Sequence, residues 1–179
     1  MKQPGFIDCL ISSVGIDEEM AETKYTPAGY VPLVKNEDGV PVSGSFNYSS
    51  NILMLIYIYG HTHIYIAFSI NCFSRYMFCP NNLHEYTLKQ IGGYFKQTRN
   101  HGLILNTNRE IFSIDSYPNA DFSGMYEHEK PADTSFFKSR TGYKFTFSDC
   151  PILGKSKLHT ETSLSTMEEE IFDLAHNCR

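Results

Sequence analysis

The periodicity of the apolar residues changes after Gly102, and this change most constrains the fold of the chain. Before it, Ile66, Ile70, Phe73 and Met77 follow one another at helical spacing, which predicts one apolar stripe on a helix. After it, aromatic and polar residues alternate through 143–148, which is typical of a half-buried strand. The chain is therefore predicted to be helical up to about residue 100 and to combine a sheet with a helix beyond it.

The same patterns predict the individual elements. Helices are expected over 6–14, 50–59, 64–78, 83–97 and 166–177, and strands over 103–105, 112–117, 143–147 and 152–157. Gly15 and Gly60 are expected to end the first two helices, and Asn47 or Ser49 to cap the second. An extended loop is expected over 18–45, which is polar and broken by prolines, and a turn over 106–109.

Two of the predicted helices carry features that bear on packing. The Gly92-Gly93 pair is expected to weaken the helix over 83–97, by about 1 kcal/mol per glycine relative to alanine. The last helix presents one apolar face: Met167, Ile171, Leu174 and Cys178. Its acidic residues are expected to form a solvated face near the helix N-terminus, where the helix dipole favours them: Glu169, Glu170 and Asp173.

The composition is that of a globular chain without a membrane span. Of the 179 residues 41% are apolar and 20% charged, which suits a folded chain of one domain or two small ones. The apolar runs 52–59 and 64–70 are separated by His61 and His63, so two helices meeting at a bend are expected rather than a span of about 20 residues. No long apolar run precedes Asp8, so a signal peptide is not expected.

The net charge of −5 argues against a wholly basic nucleic-acid binder. Residues 84–110 nevertheless hold four basic residues against two acidic ones. Within this region, Lys89, Lys96 and Arg99 are candidates for contacts with phosphate groups. A solvated helix face explains so small an excess equally well.

The cysteines and histidines do not form a recognisable metal or disulfide pattern. The five cysteines are odd in number, widely spaced and without a CxxC pair, so reduced thiols in an intracellular compartment are expected. His61 and His63 stand two residues apart and do not share a helix face, so a metal site there would need further ligands.

Several phrases of the sequence share their order and intervals with one known family. They are IGGYFKQTRNHGLIL at 91–105, DSYPNADFSG at 115–124, KSRTGY at 138–143 and SLSTMEEE at 163–170. Together they resemble the junction between reverse transcriptase and ribonuclease H in copia-type retrotransposon Pol polyproteins. Upstream, Thr62 to Ile70 and Ser74 to Met77 resemble "TRPDIAFAV" and "SRYM" of the same family, but an Arg-Pro-Asp has become His63-Ile64-Tyr65. The resemblance covers about residues 6–179.

The resemblance implies a two-metal nuclease chemistry that this chain supports poorly. Ribonuclease H holds two Mg²⁺ ions with carboxylates, one to activate water and one to stabilise the leaving oxygen. The first family carboxylate falls on Asn119 and the second on Glu168. Asparagine keeps an oxygen but loses the negative charge that Mg²⁺ favours. Asp121 lies two residues along the strand, displaced by roughly 6–7 Å, and is not expected to substitute.

Glu168 also has a structural interpretation. Ser165-Thr166-Met167-Glu168 fits the capping-box pattern, in which the glutamate bonds back to the amide of the cap residue. Without the resemblance, capping is the better explanation of this residue.

The sequence therefore predicts an α+β chain. The resemblance implies a helical reverse transcriptase C-terminal segment over 1–100 and a partial ribonuclease H-like domain over 101–179, with an incomplete mixed sheet and a C-terminal helix. The resemblance implies that the chain begins after the polymerase aspartates and ends before the nuclease carboxylates are complete. We expect a degenerate fragment without catalytic activity and without a cofactor of its own, although the intact family uses Mg²⁺. The alternatives are ribonuclease H activity on RNA–DNA hybrids after complementation by the missing segment, and weak, salt-sensitive binding of nucleic acid. The expected partners are a hybrid or duplex and the remaining Pol segments, in the cytoplasm or nucleus, with no membrane.

Overall fold

The computed structural model describes residues 1–16, 25–27, 33, 40–42, 46–106, 112–121, 138–160, 162–163 and 165–177. The chain divides into two compact units, Met1–Leu103 and Ile104–Arg179. This division lies close to the predicted domain boundary after residue 100. Most of the predicted loop over 18–45 and of the predicted turn over 106–109 lies outside the described residues.

The first unit is helical. It contains α1 (Pro4–Val14), α2 (Tyr48–His61), a short 3-10 helix (Ile64–Ile66), α3 (Ala67–Ser74) and α4 (Asn82–Thr98). No helix in the described ranges is both long and apolar enough to cross a membrane.

Local sequence signals explain where these helices begin and end. Pro4 occupies the first turn of α1, where its missing N–H costs nothing, and Gly15 ends α1 in the left-handed conformation with φ 63°. The Asn47 side chain caps α2 by accepting a hydrogen bond from the amide of Ser50 at 3.0 Å. Asn81 caps α4, and the His84 ring accepts from the amide of Asn81 at 3.0 Å to complete a capping box.

The core of the first unit consists of aliphatic and aromatic side chains that follow the predicted helical stripes. Its fully buried members are Ile7, Leu10, Ile52, Leu55, Ile58, Ile66, Phe73, Leu88, Ile91 and Phe95. Each contributes about 1.5–3 kcal/mol relative to an exposed position. The Tyr48 hydroxyl lies within this core and donates to the carbonyl of Phe73 at 2.9 Å, so the polar tip is satisfied.

Three predictions for the first unit were wrong in detail. α2 continues through Gly60, because a helix tolerates a glycine and the amide of Thr62 still reaches the carbonyl of Ile58 at 3.0 Å. The predicted helix over 64–78 is a 3-10 turn followed by α3, which ends at Ser74. The predicted strand over 103–105 is absent. Leu103 instead exchanges two backbone hydrogen bonds with Met1, at 3.0 and 2.6 Å.

The Gly92-Gly93 pair in α4 has a packing role. Both glycines are buried, and α4 packs against α1. A methyl group at Gly92 would lie 2.8 Å from the Cδ1 atom of Ile16 and 3.5 Å from the Cγ1 atom of Val14. The missing side chain therefore allows the end of α1 to approach the backbone of α4 closely.

The second unit is a three-stranded antiparallel sheet with one helix. Its strands β1 (Ile114–Asp121), β2 (Arg140–Phe147) and β3 (Cys150–Leu158) pair in the order β1-β2-β3, and α5 (Thr166–Asn177) follows. The β2–β3 turn places Ser148 and Asp149 at positive φ, as two-residue hairpins of this twist require. With five α-helices and three strands in the described residues, the chain has a mixed α+β architecture, as predicted. The predicted mixed sheet was wrong for the described strands, because both of their pairings are antiparallel.

The predicted orientation of α5 was wrong, although its bounds were right. Met167, Ile171 and Leu174 are 72%, 60% and 54% exposed, whereas Glu169 and Asp173 are only 1% and 2% exposed. Glu169 and Asp173 are therefore buried rather than solvated, whereas Glu170 is exposed as predicted. Cys178, the fourth member of the apolar face, lies outside the described residues.

Gly60 in α2 and Gly92 in α4 provide a matched test of the packing in the first unit. Gly60→Ala introduces a methyl group with no atom within 4 Å and should raise the free energy of unfolding by up to about 1 kcal/mol. Gly92→Ala should lose this gain, because its methyl group must displace Ile16. Urea unfolding of both variants measures the difference. An equal gain in both would show that α1 and α4 do not meet at Gly92.

Candidate functional site

The register of the sheet in the second unit assigns each side chain to one of two faces. Cross-strand partners share a face, so Thr141 lies with Ala120 and Lys157, while Asn119 lies with Gly142 and Ser156. The hydroxyl of Thr141 donates to the carboxylate of Asp173 on α5. We call the side that carries Thr141 the α5 face and the opposite side the Asn119 face.

A buried polar network joins α5 to the α5 face. The Nδ1 atom of His159, which follows β3, lies 3.1 Å from Oε1 of Glu169. The Nε2 atom of His159 contacts the hydroxyl of Thr141, and Ser163 donates its hydroxyl to Oε2 of Glu169. Glu169 and Thr141 are 1% and 4% exposed, so these groups meet away from water, where an uncompensated charge is costly.

The hydrogen-bond donors and acceptors of this network can be assigned from its contacts. Because Thr141 has one proton and gives it to Asp173, its oxygen must accept from the Nε2–H of His159. Nδ1 of His159 lies within ion-pair distance of Oε1 of Glu169, but that oxygen accepts no hydrogen bond from the described residues. Desolvation raises the pKa of Asp173, and the hydrogen bond from Thr141 opposes that rise.

The residues predicted to carry nuclease chemistry lie outside this buried network. Asn119 and Asp121 are exposed on β1, and both belong to the Asn119 face through their partners Gly142 and Arg140. Glu168 is half-buried, and its amide donates to the hydroxyl of Ser165 at 3.2 Å, which is one half of the predicted capping box. The link between β1 and α5 uses the backbone of Asn119, which bonds Asp173.

Within the described part of the chain, no group of three or more His, Cys, Asp or Glu side chains is placed to hold a metal ion. His61 bonds the carbonyl of Tyr57 at 2.8 Å on the surface. His63 is fully buried against Phe95, and its Nδ1 atom lies 2.7 Å from the hydroxyl of Thr62. Burial lowers the pKa of His63 to about 4, so this ring is neutral at pH 7.

The three basic candidates on and after α4 have different surroundings. Lys89 pairs with Glu85 at 3.0 Å, one helical turn away. Arg99 forms a two-pronged contact with Asp8 of α1, which lowers the pKa of Asp8 through its hydrogen bonds. Lys96 is exposed in the last turn of α4.

The sequence did not reveal that His159, Thr141 and Ser163 belong to a buried network. It predicted that Glu169 and Asp173 are exposed, whereas both are buried. One signal was available, because His159 stands where the family phrase "SKLQTE" has a glutamine. A histidine at that position brings an imidazole within 3.1 Å of the Glu169 carboxylate.

Comparison with known proteins identifies the relatives of the chain. Over 148 residues it is 32% identical to the retrovirus-related Pol polyprotein from transposon TNT 1-94 of Nicotiana tabacum, a match covering 80% of this chain and 10% of that protein. Over 151 residues it is 26% identical to the retrovirus-related Pol polyproteins from transposons RE2 and RE1 of Arabidopsis thaliana, covering 84% of this chain and 10% of each. The chain is a relative of copia-type Pol polyproteins.

This Pol relative spans about a tenth of the length of the curated proteins it matches. No protein-family model matches it, and no solved structure does. The comparisons therefore confirm the predicted Pol relationship and leave the roles of individual residues as predictions.

A pair of substitutions in α5 tests which face of the helix is buried. Glu169→Ala should destabilise the second unit by about 1–3 kcal/mol, because it leaves His159 and Ser163 without their buried partner. Leu174→Ala, at a 54% exposed position, should change stability by no more than about 0.5 kcal/mol. Hydrogen exchange of the β2 amides reports on this unit separately. A larger loss in Leu174→Ala than in Glu169→Ala would mean that α5 packs by its apolar face.

Proposed function

We propose that the chain is a Pol segment spanning the end of reverse transcriptase and the beginning of ribonuclease H, and that it does not cleave RNA by itself. The order and spacing of the phrases at 91–105, 115–124, 138–143 and 163–170 support the assignment to this segment. The match to transposon Pol proteins over 80–84% of the chain supports it as well.

The observation that carries the proposed inactivity is the neutral, exposed amide of Asn119 at the first carboxylate position. Paired Mg²⁺ ions need several anionic oxygens, because these hard cations give up their water reluctantly. Asn119 supplies no charge, and Asp121 stands farther along the same strand. These donors do not fit a pair of magnesium ions, so no step of hydrolysis is assigned to them.

An assay on a labelled RNA–DNA hybrid with Mg²⁺ or Mn²⁺ tests this proposal. The purified chain should leave the RNA intact, also after addition of a polypeptide carrying the downstream segment of a Pol relative. Asn119→Asp, which restores the missing charge, should gain cleavage when that polypeptide is present.

The controls separate a true activity from contamination. Cleavage by the unchanged chain that Glu168→Gln abolishes would overturn the proposed inactivity. Cleavage by the unchanged chain only with the added polypeptide would instead establish the complementation alternative. Asp149→Asn, which alters an exposed carboxylate in the β2–β3 turn, should have no effect in any arm.

Binding of nucleic acid through α4 is the weaker candidate function. Lys89 and Arg99 already pair with Glu85 and Asp8, so a phosphate would have to compete with these carboxylates. Lys96 alone provides little affinity, and that affinity falls as salt rises.

A further inference from the structure

The second unit contains a cavity on its α5 face, apart from the predicted nuclease positions Asn119 and Asp121. Its volume is about 210 Å³. It is lined by Thr141, Tyr143, Lys155, Lys157, Leu158, His159, Thr160, Ser163 and Phe172. Asn119 and Asp121 lie on the opposite face of the sheet, so the cavity and the nuclease positions are separate.

The electrostatic character of this cavity is positive. Lys155 and Lys157 line it, and no aspartate or glutamate among the described residues does. Lys157 is exposed, and among the described residues no hydrogen bond, ion pair or ring contact holds its amine. Glu169 contacts the lining residues His159 and Ser163 but does not itself line the cavity. The lysine amines therefore favour an anionic group at the open side of the cavity.

The remaining walls of the cavity suit a flat ring. Tyr143 and Phe172 supply aromatic surface. The Nζ atom of Lys155 lies 6.0 Å from the centre of the Tyr143 ring, so charge and aromatic surface are adjacent. The exposed Thr160 adds a hydroxyl that can donate to an anion.

We propose that this cavity binds a small aromatic anion, a single ring that carries a phosphate monoester. The ring lies against Tyr143 and Phe172, and the phosphate accepts hydrogen bonds from Lys157, Lys155 and Thr160. The volume sets the size of the ligand, because pockets for drug-sized molecules run about 300–1,000 Å³ and this cavity is smaller. The proposal does not depend on the proposed Pol function.

Titration of the full chain with phenyl phosphate, followed by amide NMR, tests this site. Phenyl phosphate should bind saturably and at least about tenfold more tightly than phenol or inorganic phosphate, since only it engages both the ring walls and the lysines. The largest shifts should fall on the β2 and β3 residues that line the cavity. Equal responses to phenyl phosphate and inorganic phosphate would overturn the proposal, as would an absence of saturation.

Substitutions on the two faces of the sheet provide matched controls. Lys157→Ala should weaken phenyl phosphate binding about tenfold or more, and Lys157→Arg should retain most of it. Lys144→Ala removes a lysine from the Asn119 face, where it lies 4.7 Å from the centre of the Tyr117 ring, and should leave binding unchanged. Phe172→Ala should weaken phenyl phosphate without changing the response to inorganic phosphate. Equal losses in Lys157→Ala and Lys144→Ala would contradict the assigned site.

Discussion

The contact between His159 and Glu169 decides how α5 lies on the sheet, and the site of the second unit depends on it. Successive helical residues are rotated by about 100°, so turning Glu169 and Asp173 toward the sheet turns Met167, Ile171 and Leu174 away from it. The same rotation leaves Glu168 half-buried at the start of the helix. On the α5 face, Thr141 bonds Asp173 and the following His159 contacts Glu169, so polar groups of the sheet meet the acidic side of α5.

The two units are thus stabilised by different kinds of interaction. The first unit is held by burial of aliphatic and aromatic stripes on four helices, and its exposed ion pairs add little. In the second unit, α5 attaches to the sheet through a buried imidazole–carboxylate contact and hydroxyl hydrogen bonds. Removing one partner from such a network leaves a buried charge without its compensating group, which costs several kcal/mol.

These differences explain what the sequence was able to predict. The stripes of α1, α2 and α4 were readable because one periodicity dictates both the helix and its buried face, and Gly15 and Asn47 mark their ends through local geometry. The bounds of α5 were readable for the same reason. Its orientation was not, because periodicity separates an apolar from an acidic side without indicating what each side meets. The hydrogen bonds between Met1 and Leu103, which replace the predicted strand, join residues that no local pattern connects. The nuclease positions came from the resemblance alone, and the buried network required long-range contacts to be known.

The central claim is that the chain lacks the negative charge needed to hold paired divalent ions where its relatives' phrases would place them. Paramagnetic broadening of amide signals by Mn²⁺, measured on the whole chain, tests that claim most directly. We expect no saturable broadening centred on the amides of Asn119, Asp121 and Glu168, and we expect broadening at residues 119 and 121, which share a face, once residue 119 carries a carboxylate. Saturable broadening at those three amides in the unchanged chain, with Mn²⁺ below millimolar concentration, would contradict it.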